Sequence, residues 1–460
     1  MAELIGPAHW SVAERAEVFM TPELFGSLED DALEQLMRTS EQPAIRRALL
    51  MPDGHVGYGC PVGTVAIADG WIYPPLAGFD IGCGMQVVTS GLDASAIDGR
   101  ELQALMDDIG QRVAMGTGQG FGVLSKDELE RYLDGGIPSM AADGYATEDD
   151  VARTEEPCLR PTGRAWISPK AFERGMRTAG SLGGGNHFLE GQRIRVVDAA
   201  LCAAWGLREG QFVFQIHCGS RGLGHQVGDE YNRIALDYMK ARGLFVTHRE
   251  LVGMPLETDE GQAYLAAMYT AANFSTINRQ LIMHYLREGV RRVLRSGHKR
   301  GDLRLGLLYN TPHNVTRTET LTDGTTGIVH RKGATRACPA GHPRTPPAYA
   351  ATGHPVLIPG AMGRPSYILV GQPGGAVSEF SVNHGAGRQL SRGKAKETLT
   401  ANAVKKELGA LRINHAVRDV IDEAPQAYKN IDLIIDAVEQ AGLARVVAKL
   451  EPLFCMKGAG

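Results

Sequence analysis

The chain has 460 residues, 43% of them hydrophobic and 22% charged, with a net charge of −4; it can bury a large core, and its overall field does not attract polyanions. No apolar run reaches the roughly 18 residues of a membrane span, and Met1-Ala2-Glu3-Leu4 lacks a basic region followed by an apolar stretch, so no membrane partner and a cytoplasmic location are expected. Seven cysteines without a CxxC pair argue against a disulfide framework and against a zinc ribbon.

Ser27 to Ser40 reads as an amphipathic helix with Ser27 as N-cap and Leu33, Leu36 and Met37 on one face. The pattern turns strand-like from Pro61, and Asp69-Gly70 predicts a hairpin turn before Trp71-Ile72-Tyr73. Residues 136–163, rich in Gly, Pro and acids with weak periodicity, suggest a surface excursion or lid. Phe212–His217 predicts a strand that releases His217 at its end into Cys218-Gly219-Ser220-Arg221-Gly222. A helix is predicted from about Gln262 to Arg295, then a strand over Leu305–Tyr309 and a polar hairpin over Thr318–Gly327. A Pro/Gly/His loop follows from Pro339 to Pro355, then a strand at Ser366–Val370 and two helices near 391–408 and 425–442 that close the chain. Length alone suggests two or three domains, but chemistry-bearing motifs run from residue 53 to residue 457 and must meet. The expected fold is therefore α+β, one large domain over 1–460 with mixed and antiparallel β-sheets and flanking helices.

Thiolate, imidazole and carboxylate together suit a pair of transition-metal ions better than calcium or magnesium. Asp80 and Cys83 share one Gly-rich turn, and a thiolate can bridge two ions; a turn aspartate beside a buried cysteine is the plainer alternative. Gly183-Gly184-Gly185-Asn186-His187-Phe188-Leu189-Glu190 offers bare backbone N–H groups, an amide, an imidazole and a carboxylate within a few residues. His217 and His313 sit at strand ends, and Arg221 can grip a phosphate, while His225 reads as a polar residue opening a helix. His330–Arg336 is a basic turn that would ordinarily be a solvated face. In Asn383-His384-Gly385-Ala386-Gly387-Arg388, small residues let a substrate approach His384, which could be a phosphoryl-accepting nucleophile, a further metal ligand or a general base.

Taken together, Met51–His55, Gly78–Met85, Gly183–Glu190, His217–Gly222, His313-Asn314, His330–Arg336, His384–Arg388 and Lys457-Gly458 resemble the RtcB family of RNA-splicing ligases over nearly the whole chain. The resemblance implies ligation of RNA ends carrying a 2′,3′-cyclic phosphate or 3′-phosphate to 5′-hydroxyl ends, in tRNA splicing or RNA repair, with GTP and two Mn²⁺. It implies Cys83 as the bridge between the ions, His217 and His313 at one, Asp80 and His187 at the other, and His384 as the guanylylated residue. It places Asn186, Phe188, Glu190, Ser366, Gly385, Ala386, Gly387, Arg388, Tyr428 and Lys457 around the nucleotide, and Arg174, Arg221 and Arg392 near phosphates. RNA (tRNA halves or cleaved RNA) and GTP are the implied partners, with an archease-like activator as a further one.

The sequence departs from the family pattern at Arg364-Pro365, where two small residues are expected, at Asn383 and at Cys218. Two other functions fit the same residues: a paralogue that only processes RNA ends as a metal-dependent phosphodiesterase or phosphatase, and a non-catalytic RNA-binding protein.

Overall fold

A computed structural model describes residues 2–244, 248, 250–294 and 302–459. Its frame is an almost wholly antiparallel sheet in the order Leu305–Pro312, Gly84–Asp93, Gln211–Cys218, Phe188–Val196, Ala444–Met456, Ser366–Gly371, Pro355–Ile358; the short strand Arg412–Ile413 adds in parallel to Ala444–Met456. A second sheet runs Glu3–Gly6, His9–Ala13, Ala16–Val18, Ile45–His55, Val62–Ala68, Thr326–Lys332, Asn314–Thr320. The short ladder of Ala334–Arg336 with Ser381–Asn383 holds the segment before His384. These elements form one α+β domain, and no described helix is long and apolar enough to cross a membrane.

The helix Asp259–Val293, capped by the Thr258 side chain, is apolar or uncharged over most of its surface because it is buried nearly all round. Its one fully buried charge, Arg279, reaches the strand ends: Nε donates to Asn310 Oδ1 (2.8 Å), and Nη1 donates to the carbonyls of Gly82 (3.0 Å) and Cys218 (2.8 Å). Gly82 has φ +70°, and a Cβ there would stand 2.7 Å from the main chain of Ala272, so only glycine lets this turn seat against the helix.

Several expected elements differ. Ser27 ends the helix Pro22–Gly26, and the helix Asp30–Ser40 starts from Glu29 without a side-chain cap, because the Ser27 hydroxyl donates to Leu24 O (2.9 Å). Val62–Ala68 and Trp71–Ile72 are not a hairpin: the first pairs with Ile45–His55 and Thr326–Lys332, the second with Met254–Pro255. Residues 136–163 include the end of the helix Lys126–Ala142 and the helix Glu148–Ala152, both packed inward. Asp150 there is fully buried and takes two 2.7 Å hydrogen bonds from Arg287 of the long helix. The basic stretch 330–336 is not solvated either: Arg331 and Arg336 are buried on Glu319 (2.6 and 2.7 Å), and Arg336 also meets Glu156 at 3.1 Å.

The long helix starts at Asp259, three residues before the predicted Gln262, and Arg295 lies outside the described residues. The predicted 391–408 helix is two, Arg392–Thr398 and Ala401–Leu408; the one at 425–442 shortens to Ile431–Gln440. Neither closes the chain, since Ala444–Met456 follows as an interior strand between Phe188–Val196 and Ser366–Gly371.

Replacing Arg279 with leucine strands buried acceptors on Cys218 and Asn310. Denaturant unfolding of Arg279→Leu should show a loss of about 3–5 kcal/mol; a loss below about 1 kcal/mol would mean the guanidinium is not what joins helix to sheet.

Candidate functional site

The sheet register brings the ligand-type residues together. His217 lies between Met85 on one neighbouring strand and Phe188 on the other, so Cys83 and His187 arrive on either side of it. Pro312 pairs with Gly84, and His313 N donates to Cys83 O (2.7 Å) while Gly82 N donates to Asn314 O (2.7 Å), which fastens His313 beside the Cys83 turn. Cys83 Sγ then stands 3.4 Å from His187 Nε2 and 3.3 Å from His217 Nε2. His217 Nε2 is 3.4 Å from His313 Nε2, and His187 Nε2 is 2.8 Å from Asp80 Oδ2.

Two donor sets result, Cys83–His217–His313 and Asp80–Cys83–His187, and they share the sulfur. Donors bound at about 2.1 Å to one tetrahedral ion sit about 3.4 Å apart, and the spacings around Cys83 match that edge. His217 Nδ1 is 3.1 Å from Asn186 O, a contact that puts its proton on Nδ1 and leaves the Nε2 lone pair facing the sulfur. Asp80 Oδ1 is buried with no hydrogen-bond partner. These residues therefore fit two transition-metal ions.

Without a cation the cluster pays for its burial. Desolvation, with the charge of Asp80 adding to it, pushes the Cys83 thiol up to about 12. Burial opposes ionisation of Asp80, but the charge and hydrogen bond of His187 outweigh it and hold the carboxyl well below its usual range. Burial drives His217 and His313 well below the usual imidazole value, so both are neutral ligands at neutral pH. A metal would replace the proton between His187 and Asp80 and ionise the thiol.

His384 follows the strand Ser381–Asn383, with its ring 4.7 Å from that of His313. Its Nδ1 lies 2.8 Å from Oδ2 of the fully buried Asp53, and the same oxygen accepts from the amides of His384 (3.3 Å) and Gly385 (3.2 Å). Gly387, at φ +70°, lets the turn close over Asp53: a Cβ there would be 2.2 Å from Asp53 O. Asn383 donates from Nδ2 to Gly385 O (2.8 Å), bracing that turn.

A cavity of about 290 Å³ joins His384 and the Cys83 cluster to a wall formed by Phe188, Glu190, Tyr428 and Lys457, with Asn186, Gly385, Ala386, Gly387, Arg388 and Arg392 also on its lining. Burial raises Glu190 to about 7, against the lowering pull of Cys455, Gln192 and Lys457. Glu423 gathers the cations: Arg388 Nη1 at 3.1 Å, Arg392 Nε at 3.3 Å and Lys457 Nζ at 3.6 Å, with the Tyr428 hydroxyl donating as well. Its burial works against ionisation, and the charges of Lys457 and Arg388 more than offset it.

Four expected residues do not line the cavity. His187 stands behind the sulfur as a cluster member. Ser366 is buried one layer out, its Oγ accepting from Gly360 N (3.1 Å). Arg174 donates to Gln226 Oε1 (3.1 Å), and Arg221 is turned inward to Gly116 O (2.7 Å) and Ser181 Oγ (3.2 Å). Conversely, Glu423, Lys332, His55 and Cys455 line the cavity without having been singled out as site residues from sequence, and Asp53 lies beneath it; of these, Asp53, His55 and Lys332 sat in recognised motifs.

The family model described as "tRNA-splicing ligase RtcB" matches residues 35–458. The chain is 41% identical to the tRNA-splicing ligase RtcB of Aeropyrum pernix over 430 residues, 89% of this chain and 88% of that protein. It is 39% identical to the protein of the same description from Thermococcus kodakarensis over 444 residues (94% and 92%), and 41% identical to the RNA-splicing ligase RtcB of Mycobacterium tuberculosis over 440 residues (92% and 100%).

Mn²⁺ titration followed by calorimetry should find two sites in the parent chain, none of comparable affinity in Cys83→Ala, and one in His313→Ala. Equal stoichiometry in the parent and Cys83→Ala would remove the shared-sulfur arrangement.

Proposed function

We propose, from the premise that the chain belongs to the RtcB family, that it is an RNA ligase that uses GTP and Mn²⁺ to join 2′,3′-cyclic phosphate or 3′-phosphate ends to 5′-hydroxyl ends. The observation that carries this is the placement of His384: an imidazole 2.8 Å from a buried carboxylate, facing a cavity shared with the metal-ligand-type residues around Cys83 and with Arg388, Arg392 and Lys457.

The Asp53 carboxylate lies 2.8 Å from Nδ1 without closing a ring N–H hydrogen bond, and its charge favours the tautomer protonated on that side, which leaves the Nε2 lone pair free to attack. Attack on the α-phosphorus of GTP forms an N–P bond and breaks the bond to the β-phosphate, which leaves as pyrophosphate. Asp53 stabilises the positive charge that the ring gains. The RNA 3′-phosphate oxygen then attacks the same phosphorus and frees His384, giving an RNA end capped by GMP. Attack by the 5′-hydroxyl on the RNA phosphorus expels GMP and closes the strand. Bound ions, held by Asp80, Cys83, His187, His217 and His313, would supply charge neutralisation at the phosphoryl groups. Arg388, Arg392 and Lys457 spread the remaining charge, and Phe188 and Tyr428 offer ring faces to the base.

Glu190 can accept from guanine N1–H and its exocyclic amine, a donor pair adenine lacks. Only the ionised carboxylate accepts both. With Glu190 at about 7 in the free protein, GTP affinity should rise as pH rises through about 7 and level off above it, falling roughly tenfold per unit below. Equilibrium binding of GTP from pH 5.5 to 8.5 tests this: Glu190→Gln should bind weakly with a flat profile, and a flat parent profile would remove Glu190 from guanine recognition.

Incubation with α-³²P-labelled GTP and Mn²⁺ should leave acid-labile label on the protein, and His384→Ala should abolish it. A metal-loaded parent chain that stays unlabelled while converting RNA ends would favour the end-processing paralogue instead.

A further inference from the structure

Next to the cavity stands a short row of rings, of which Phe79 lines it, that the reaction above leaves unused. Tyr58 is 41% exposed and packs tilted on Phe79 with centroids 4.9 Å apart. Phe79 in turn lies parallel to the ring of the exposed His225, with 4° between planes and 6.3 Å between centroids. The three rings come from separate segments: the loop after Ile45–His55, the turn leading into Cys83, and the start of the helix Arg221–Ala241. Phe79 directly precedes Asp80 and lines the cavity, so the row begins beside Asp80 and continues away from the lining to Tyr58 and His225.

The Tyr58 main chain is pinned while its ring is left in solvent. Lys332 Nζ donates to the carbonyls of Tyr58 (2.5 Å) and Cys60 (3.2 Å). Burial in the core thus does not account for the ring's position, and half-exposed aromatics in a row are a poor arrangement for solubility alone. Glu250 and Asp229 place negative charge near the Tyr58 ring, while the Lys332 ammonium sits on its main-chain side; the ring face itself is uncharged and suits the flat, neutral face of a base.

We propose that Tyr58, Phe79 and His225 form a stacking platform for unpaired bases of the RNA strand next to its reacting end. The proposal rests on the RNA-ligase function above. It implies tolerance of sequence, since every base has a face to stack, and a requirement that the end be single-stranded.

The test uses RNA with 2-aminopurine at the penultimate position of the 3′-phosphate strand, bound to Mn²⁺-loaded protein without GTP. The parent chain and Tyr58→Phe should quench its fluorescence; Tyr58→Leu should lose the quenching and bind about tenfold more weakly, the loss of one stacked base. In ligation assays the KM for RNA should rise by a similar factor in Tyr58→Leu, with labelling by GTP changed far less. Unchanged affinity and quenching in Tyr58→Leu would overturn the platform, as would an equal loss of GTP labelling and RNA binding. Because the fluorescence arm needs no GTP, a parent chain that binds and quenches the RNA but never accepts label would sink the ligase function alone.

Discussion

Arg279 puts a full positive charge deep in the middle of the long helix, and among the described residues no carboxylate forms an ion pair with it. Besides the Ser275 hydroxyl on its own helix (2.7 Å), its partners are two main-chain carbonyls and a side-chain amide: Gly82 before Cys83, Cys218 after His217, and Asn310 three residues before His313. Burial lowers the guanidinium to about 10, so it stays protonated at neutral pH. One side chain therefore fixes the relative positions of three ligand-bearing segments. Catalytic placement of this kind tolerates errors well under an ångström, and a planar, five-donor group is suited to it as a lysine would not be.

The same economy governs the cavity wall around Glu423. Three cations crowded at one place would repel one another and scatter. Glu423 holds Arg388, Arg392 and Lys457 converged on a single internal carboxylate. The charges are thereby oriented before substrate arrives, which is the condition under which electrostatics contribute most to a transferring phosphoryl group.

How much of this the sequence disclosed follows from the range of each signal. Cys83, His187, His217 and His313 were legible because ligand-type residues in Gly-rich turns at strand ends are a local pattern, and the sheet register then joined them. Arg279 was hidden, since within a helical repeat it looks like any other basic residue, and its acceptors lie about 60 and 200 residues away in sequence. Glu423 was hidden for the same reason, its cations being contributed by residues 388, 392 and 457. Arg331 and Arg336 were misjudged as surface because a charge run carries no trace of the distant Glu319 and Glu156 that neutralise it. The strand Ala444–Met456 escaped because Lys449, Glu451 and Pro452 interrupt its alternation, and a bulge between Pro452 and Phe454 shifts the pairing.

That late strand has a bearing on biosynthesis. It lies between two earlier strands and ends beside Lys457, so a growing chain cannot close its principal sheet until residues 444–456 have been made. Until then Phe188–Val196 and Ser366–Gly371 each keep one edge without the strand that pairs with it.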